Sequence, residues 1–251
     1  MAKPNLIFYD MKSNVPSLSI SPNTWRVRLV LNYKNLPYET IWCEPVDITK
    51  TLSAADIPPY GTRANGSPRY TLPSLIDLSN PDAPFRLCDS RKIIAYLEAT
   101  YPSPDPQRVL FPPGTHAFQM LADKYVEDII QPLSWKLAIF AAVQKQTEYS
   151  RASFEKYHTK PGGKTLEEEH PRGKEKEEAW ARLRTELDKL ATYAEGDVFF
   201  SGESLRYFDV HMLARFVSMK VSLGDEITEE LRTSAGGRWT RLMDTCAELV
   251  R

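Results

Sequence analysis

The spacing of apolar residues changes part-way along the chain. In the first hundred residues, short apolar runs alternate with stretches of helical periodicity. Residues 5–10, 38–43, 70–77 and 85–88 read as strands, and 21–34, 47–55 and 89–101 read as helices. In 21–34, Trp25, Val27, Val30, Leu31 and Tyr33, together with Arg26, Arg28 and Lys34, give a helix with an apolar side. Ser21 followed by Pro22 marks its start: serine favours the N-cap, and proline tolerates the first helical position, where no N–H is needed. The order β-α-β-α-β-β-α predicts one mixed sheet with helices on its faces. Residues 57–69 (IPPYGTRANGSPR) carry three prolines and two glycines and predict an irregular, exposed loop.

Residues 101–114 (YPSPDPQRVLFPPG) hold five prolines in fourteen positions, which is linker composition. The predicted domains are therefore 1–103 and 104–251. Beyond the linker every periodic segment is helical. Residues 115–145 place Phe118, Leu121, Ala122, Tyr125, Ile129 and Ile130 on one side, with Pro132 kinking or interrupting the run. The polar stretch 160–176 predicts a solvated loop or frayed helix start. Segments 177–193, 205–223 and 226–250 complete an all-helical half.

Composition narrows the class without naming a function. Apolar residues make up 42% and charged ones 26% of 251, the balance of a globular chain. With 32 Lys and Arg against 33 Asp and Glu, net charge suggests no nucleic-acid partner. No apolar run approaches the ~20 residues of a membrane span. The first ten residues lack a signal-peptide core, so a cytoplasmic setting is expected. Cys43, Cys88 and Cys246 are too scattered for a disulfide framework or zinc site, and the four histidines form no metal set.

Three short segments carry candidate chemistry. Ser21 as an N-cap accepts from a first-turn N–H, leaving its own proton free to donate beside a positive helix end. That arrangement favours a thiolate over a thiol, whose ordinary pKa is ~8.5. Asn23 offers a second donor. In 71–77 (TLPSLID), Pro73 interrupts a strand-like run. It either starts the strand in trans or, as a cis Leu72–Pro73 bond, turns the Leu72 main chain outward to meet an extended peptide. Asp89 and Ser90 open the third helix as a cap and first-turn serine. They also suit a carboxylate at the helix start and an ammonium beside it. Cys88 reads as buried, and Tyr125, Trp135 and Phe140 as core residues or pocket walls. No phosphate loop, dinucleotide fingerprint or Gly-x-Ser-x-Gly elbow is present.

Taken in order, SPNTWRVRLVLNYKNLPYE (21–39), YTLPSLID (70–77) and LCDSRKIIAYLEATYP (87–102), followed by a proline linker and a helical half, resemble the glutathione transferase family. The resemblance covers essentially the whole chain. It implies a thioredoxin-like N-terminal domain with a mixed four-stranded sheet, an all-α C-terminal domain, glutathione as co-substrate without a metal, and a homodimer. By position, Ser21 matches the residue that meets the glutathione sulfur in serine-type classes. Leu72 precedes the family's cis proline, Pro73, and matches the main chain that pairs with the cysteinyl part. Asp89 and Ser90 match the pair holding the γ-glutamyl end. Omega-class enzymes have cysteine at position 21, so serine there disfavours deglutathionylation. The group for the glycyl carboxylate stays open among Lys50, Arg63 and Arg69.

Within the family the chain is most similar to the fungal etherase-related class, FuA, and its bacterial β-etherase relatives. The resemblance implies attack on hydrophobic or aromatic electrophiles such as wood-derived phenolics or β-aryl ethers, in a cleft near Tyr125, Trp135 and Phe140. A non-catalytic carrier of aromatic ligands, or a regulatory protein of the same fold, is the competing expectation. One departure stands out: Arg206 occupies the position three before Asp209 where the family places a Ser or Thr cap. Either Ser204 takes over the cap, or the local helix start is weaker.

Overall fold

The computed structural model describes residues 4–159, 162–194 and 196–250. The chain runs β1 (Leu6–Met11), α1 (Pro22–Tyr33), β2 (Tyr38–Cys43), α2 (Ile48–Ala54), β3 (Gly61–Thr62), β4 (Pro68–Arg69), β5 (Ser74–Asp77), β6 (Phe85–Cys88) and α3 (Ser90–Thr100). Strands β2-β1-β5-β6 form one mixed sheet, with β1 and β2 parallel and the other neighbours antiparallel. This is the thioredoxin-like arrangement expected. β5 starts at Ser74 rather than residue 70, since Pro73 has no N–H to give a ladder. The 57–69 loop differs from expectation by carrying the small hairpin β3–β4. Its turn is closed by Gly66 at φ +82° and by the Asn65 side chain accepting from the Ser67 N–H.

After the linker come α4 (His116–Tyr125), α5 (Gln131–Gln144), α6 (Glu148–His158), α7 (Leu166–Glu169), α8 (Gly173–Ala191), α9 (Tyr207–Leu223), α10 (Asp225–Thr233) and α11 (Arg238–Thr245). A π-helical turn over Val126–Ile130 joins α4 to α5, and Pro132 falls in the first turn of α5. Residues 226–250 do not form one helix. Gly236 and Gly237, at φ 59° and 77°, break them between α10 and α11. In the polar stretch, α7 forms under a Thr165–Glu168 capping box; residues 160 and 161 lie outside the described part.

Two faces differ from their sequence reading. In α1 every residue from Thr24 to Tyr33 is buried, because the helix is wedged against α3 and α9. Arg26 and Arg28 are therefore interior along with the apolar residues. Arg28 pairs with buried Asp10 at 2.8 Å, with the rings of Phe8, Trp25, Tyr38 and Trp42 within 6 Å of its guanidinium. In α4, Phe118 and Leu121 are 72% and 69% exposed, and the face turned inward carries Gln119 and Asp123. Ala122, Tyr125 and Ile130 of the expected face do pack on the core, but Phe118 and Leu121 do not, because the inward side beside them is polar and finds partners inside.

Candidate functional site

Sheet register brings Leu72–Pro73 and Asp89–Ser90 to one end of the sheet, the end from which the chain leaves β1 toward Ser21. Tyr9, near the end of β1, pairs with Ser74 at the start of β5, and Ser74 pairs with Cys88 at the end of β6. With strands about 4.8 Å apart, the exits toward Ser21, Leu72–Pro73 and Asp89–Ser90 open along one short edge. The Leu72–Pro73 bond is cis. Both ladders of β5 stop at Ser74, so the Leu72 main chain lies outside them, while its side chain is buried.

Ser21 is the N-cap of α1, in extended conformation (φ −88°, ψ 118°), and its hydroxyl accepts from the Thr24 N–H at 3.4 Å. Among the described residues that hydroxyl donates to no protein acceptor. Its surroundings are tightly bonded. The Ser21 N–H donates to Ser19 Oγ (3.1 Å), Thr24 Oγ1 donates to the Ser21 carbonyl (3.0 Å), and the Trp25 indole donates to the Ser19 carbonyl (2.7 Å). Asn23 is exposed in the same first turn.

Asp89 caps α3 at φ 85°, one carboxylate oxygen accepting from the N–H groups of Arg91 (2.8 Å) and Lys92 (3.2 Å). Ser90 is buried in the first turn. Arg91 then ties this turn to the second domain, donating to Asp123 (2.6 Å) and pairing with Glu127 (2.7 Å). Asp123 also pairs with buried Arg26 from α1 (2.9 Å) and has His211 Nδ1 of α9 2.6 Å away, in a poorly aligned contact. Burial alone raises a carboxyl, but His211, Arg26 and Arg91 together hold Asp123 well below the usual carboxylate range. Burial and the Arg26 charge push His211 down to about 3. None of Arg26, Asp123 or His211 was singled out as a site residue from sequence. The one available signal was an Asp inside an otherwise periodic helix.

The pocket candidates do not converge. Tyr125 turns to α8, where its hydroxyl donates to Glu186. Trp135, 39% exposed, meets the His158 ring at 4.8 Å, and Phe154 and Tyr157 enclose that imidazole further. Burial pushes His158 down to about 4. Phe140 packs on His170 near Ile139, Val143 and Leu166. Helix α6 reaches back to the first domain. Glu44, after β2, accepts from Thr147 (2.5 Å) and Ser150 (2.7 Å) and pairs with Lys12 (2.9 Å). Arg69, one glycyl-carboxylate candidate, donates to Tyr157 at 3.4 Å, and Arg63 donates to the Pro68 carbonyl; Lys50 is exposed. Cys88 is buried beside Asp89, and burial raises its thiol pKa.

Residues 16–105 match the N-terminal domain of glutathione S-transferases, and residues 117–249 match the C-terminal domain. The chain belongs to the glutathione S-transferase family. Glutathione transferase GSTFuA3 from Phanerochaete chrysosporium is 29% identical at a TM-score of 0.86, over 99% of this chain and 98% of that one. A glutathione S-transferase of Ceriporiopsis subvermispora, solved in complex with glutathione, is 30% identical at 0.84 over 98% and 99%. The glutathione S-transferase-like protein ustS of Aspergillus flavus is 28% identical over 94% of this chain and 88% of its own. Fold and sequence together set this glutathione S-transferase beside the fungal FuA class.

Proposed function

We propose that this protein is a serine-type glutathione transferase. Glutathione lies along the sheet end, its γ-glutamyl group at Asp89 and Ser90 and its cysteinyl part along the Leu72 main chain before Pro73. The Ser21 hydroxyl donates to the sulfur and Asn23 assists. The observation that carries this reading is the Ser21 hydroxyl itself. It caps a helix weakly, at 3.4 Å, and has no protein acceptor for its proton among the described residues. A proton so placed, at the positive end of α1, stabilises a thiolate and raises the fraction of nucleophile at neutral pH. The electrophile is a small hydrophobic or aromatic compound, of the wood-derived phenolic or β-aryl ether kind, held between the domains. Trp135 is the exposed aromatic that fits a wall of that cleft; Phe140, packed on His170, and Tyr125, turned to α8, contribute less.

Ser21→Ala tests the assignment. Turnover of an aromatic electrophile falls about 100-fold if the bound sulfur is fully desolvated, and less in an open site. Glutathione affinity changes little, because the γ-glutamyl and main-chain contacts remain. Unchanged turnover shifts the role to Asn23.

A further inference from the structure

A serine inside a helix ordinarily returns its hydroxyl to the carbonyl four residues back. In α9, Ser222 does this, donating to the Ser218 carbonyl at 2.9 Å. Ser218 does not. It is 7% exposed, and its hydroxyl leaves the helix and donates to the Ile20 carbonyl at 2.6 Å, across 198 residues of sequence. Ile20 is itself buried and is the residue immediately before Ser21.

The other bonds around Ser21 come from residues 19–25 and shape the turn relative to α1 alone. The Ser218 bond comes from the second domain, through a helix that packs along α1. It fixes the peptide that carries the Ser21 nitrogen against the body of the protein. We propose that Ser218 is a positioning residue for Ser21, holding the Ile20 main chain so that the Ser21 hydroxyl stays where the glutathione sulfur meets it. This rests on reading Ser21 as the thiolate's partner. Ser218 touches no reacting atom. It acts by keeping one donor in register, and small displacements of such groups are costly to rate.

The test titrates the ultraviolet thiolate absorbance of enzyme-bound glutathione against pH, beside steady-state kinetics. In Ser218→Ala the bound thiol becomes less acidic, and kcat falls about 10-fold while the KM for glutathione stays within about 2-fold. Ser218→Thr, which keeps the hydroxyl, restores both. Ser222→Ala, one turn along the same buried helix, leaves both unchanged. If Ser218→Ala does not fold, Ser218→Cys, similar in size but a weak donor, shows the same loss of acidity. A wild-type thiol pKa in the folded Ser218 variant, or a loss confined to KM, overturns the proposal. Ser21→Ala separates the two ideas. If it raises the thiol pKa and Ser218→Ala does not, only the positioning role falls; if it leaves the pKa unchanged, the reading of Ser21 falls and takes this one with it.

Discussion

Asp123 and Asp209 are both interior aspartates of the helical half, 0% and 1% exposed, and they are held in opposite ways. Asp123 has guanidinium groups from two helices of the first domain, Arg26 and Arg91, and stays ionised. Asp209 has backbone donors: the N–H groups of Arg206 (2.9 Å) and Phe200 (2.7 Å). Burial outweighs those two bonds and raises its carboxyl to about 6. The pairing resolves the question posed by Arg206. An arginine has no acceptor to offer the first turn of α9, so only half of the reciprocal cap forms. Ser204 does not replace it, donating instead to Gln107. The Arg206 guanidinium reaches back to the carbonyls of Val109 and Gln107, tying the helix start to the linker. Charges from the first domain hold the buried Asp123 carboxylate ionised; two backbone amides cannot fully do so for Asp209.

This contrast can be broken most strongly at Asp123. Asp123→Ala leaves Arg26 buried without a carboxylate, and chemical denaturation should show a loss of about 3–5 kcal/mol. Asp209→Ala leaves the Phe200 and Arg206 N–H groups unpaired inside, and the same measurement should show about 2 kcal/mol. Acidity sharpens the comparison. A carboxyl raised in the fold favours folding below its ordinary value, and that contribution is lost as pH rises through about 6. Between pH 7 and pH 5, wild type should therefore gain about 1 kcal/mol relative to Asp209→Asn. The Asp123 contribution has the opposite sign, being present above the ordinary carboxylate value and lost in stronger acid as pH falls through its lowered pKa. The smallest effect belongs to the exposed pair between Lys124, near the end of α4, and Asp128, in the π-helical turn after it. Asp128→Asn should change stability by less than about 0.5 kcal/mol and respond to salt, as Asp123 does not.

The same two residues show what was legible. Asp209 stood out because its partner sits three positions away, inside the reach of a local motif. Asp123 did not, because its partners are 97 and 32 residues distant and its helix carries a more apolar stripe on the opposite face. Phe118 and Leu121 read as part of the buried face for that reason, although both are exposed. The α10–α11 break had a local signal in the adjacent Gly236 and Gly237, which helical composition on either side outweighed. The hairpin in 57–69 was likewise written in its turn residues, Asn65 and Gly66. At the candidate site, the Ser21 and Asp89 caps were readable from residue type and position. The bonds that hold those caps in place were not.

By itself the sequence determined the order of the four main-sheet strands and three helices in the first half, the helix starts at Ser21 and Asp89, and the family to which their spacing belongs. Those features depend on interactions within a few residues, which composition and periodicity record. Only the tertiary structure decided which polar groups would be interior: Arg26 against Asp123, Arg28 against Asp10, Ser218 against Ile20. Each is a compensation between chain segments brought together by packing, and a buried charge or hydroxyl looks like a solvated one until its distant partner is beside it.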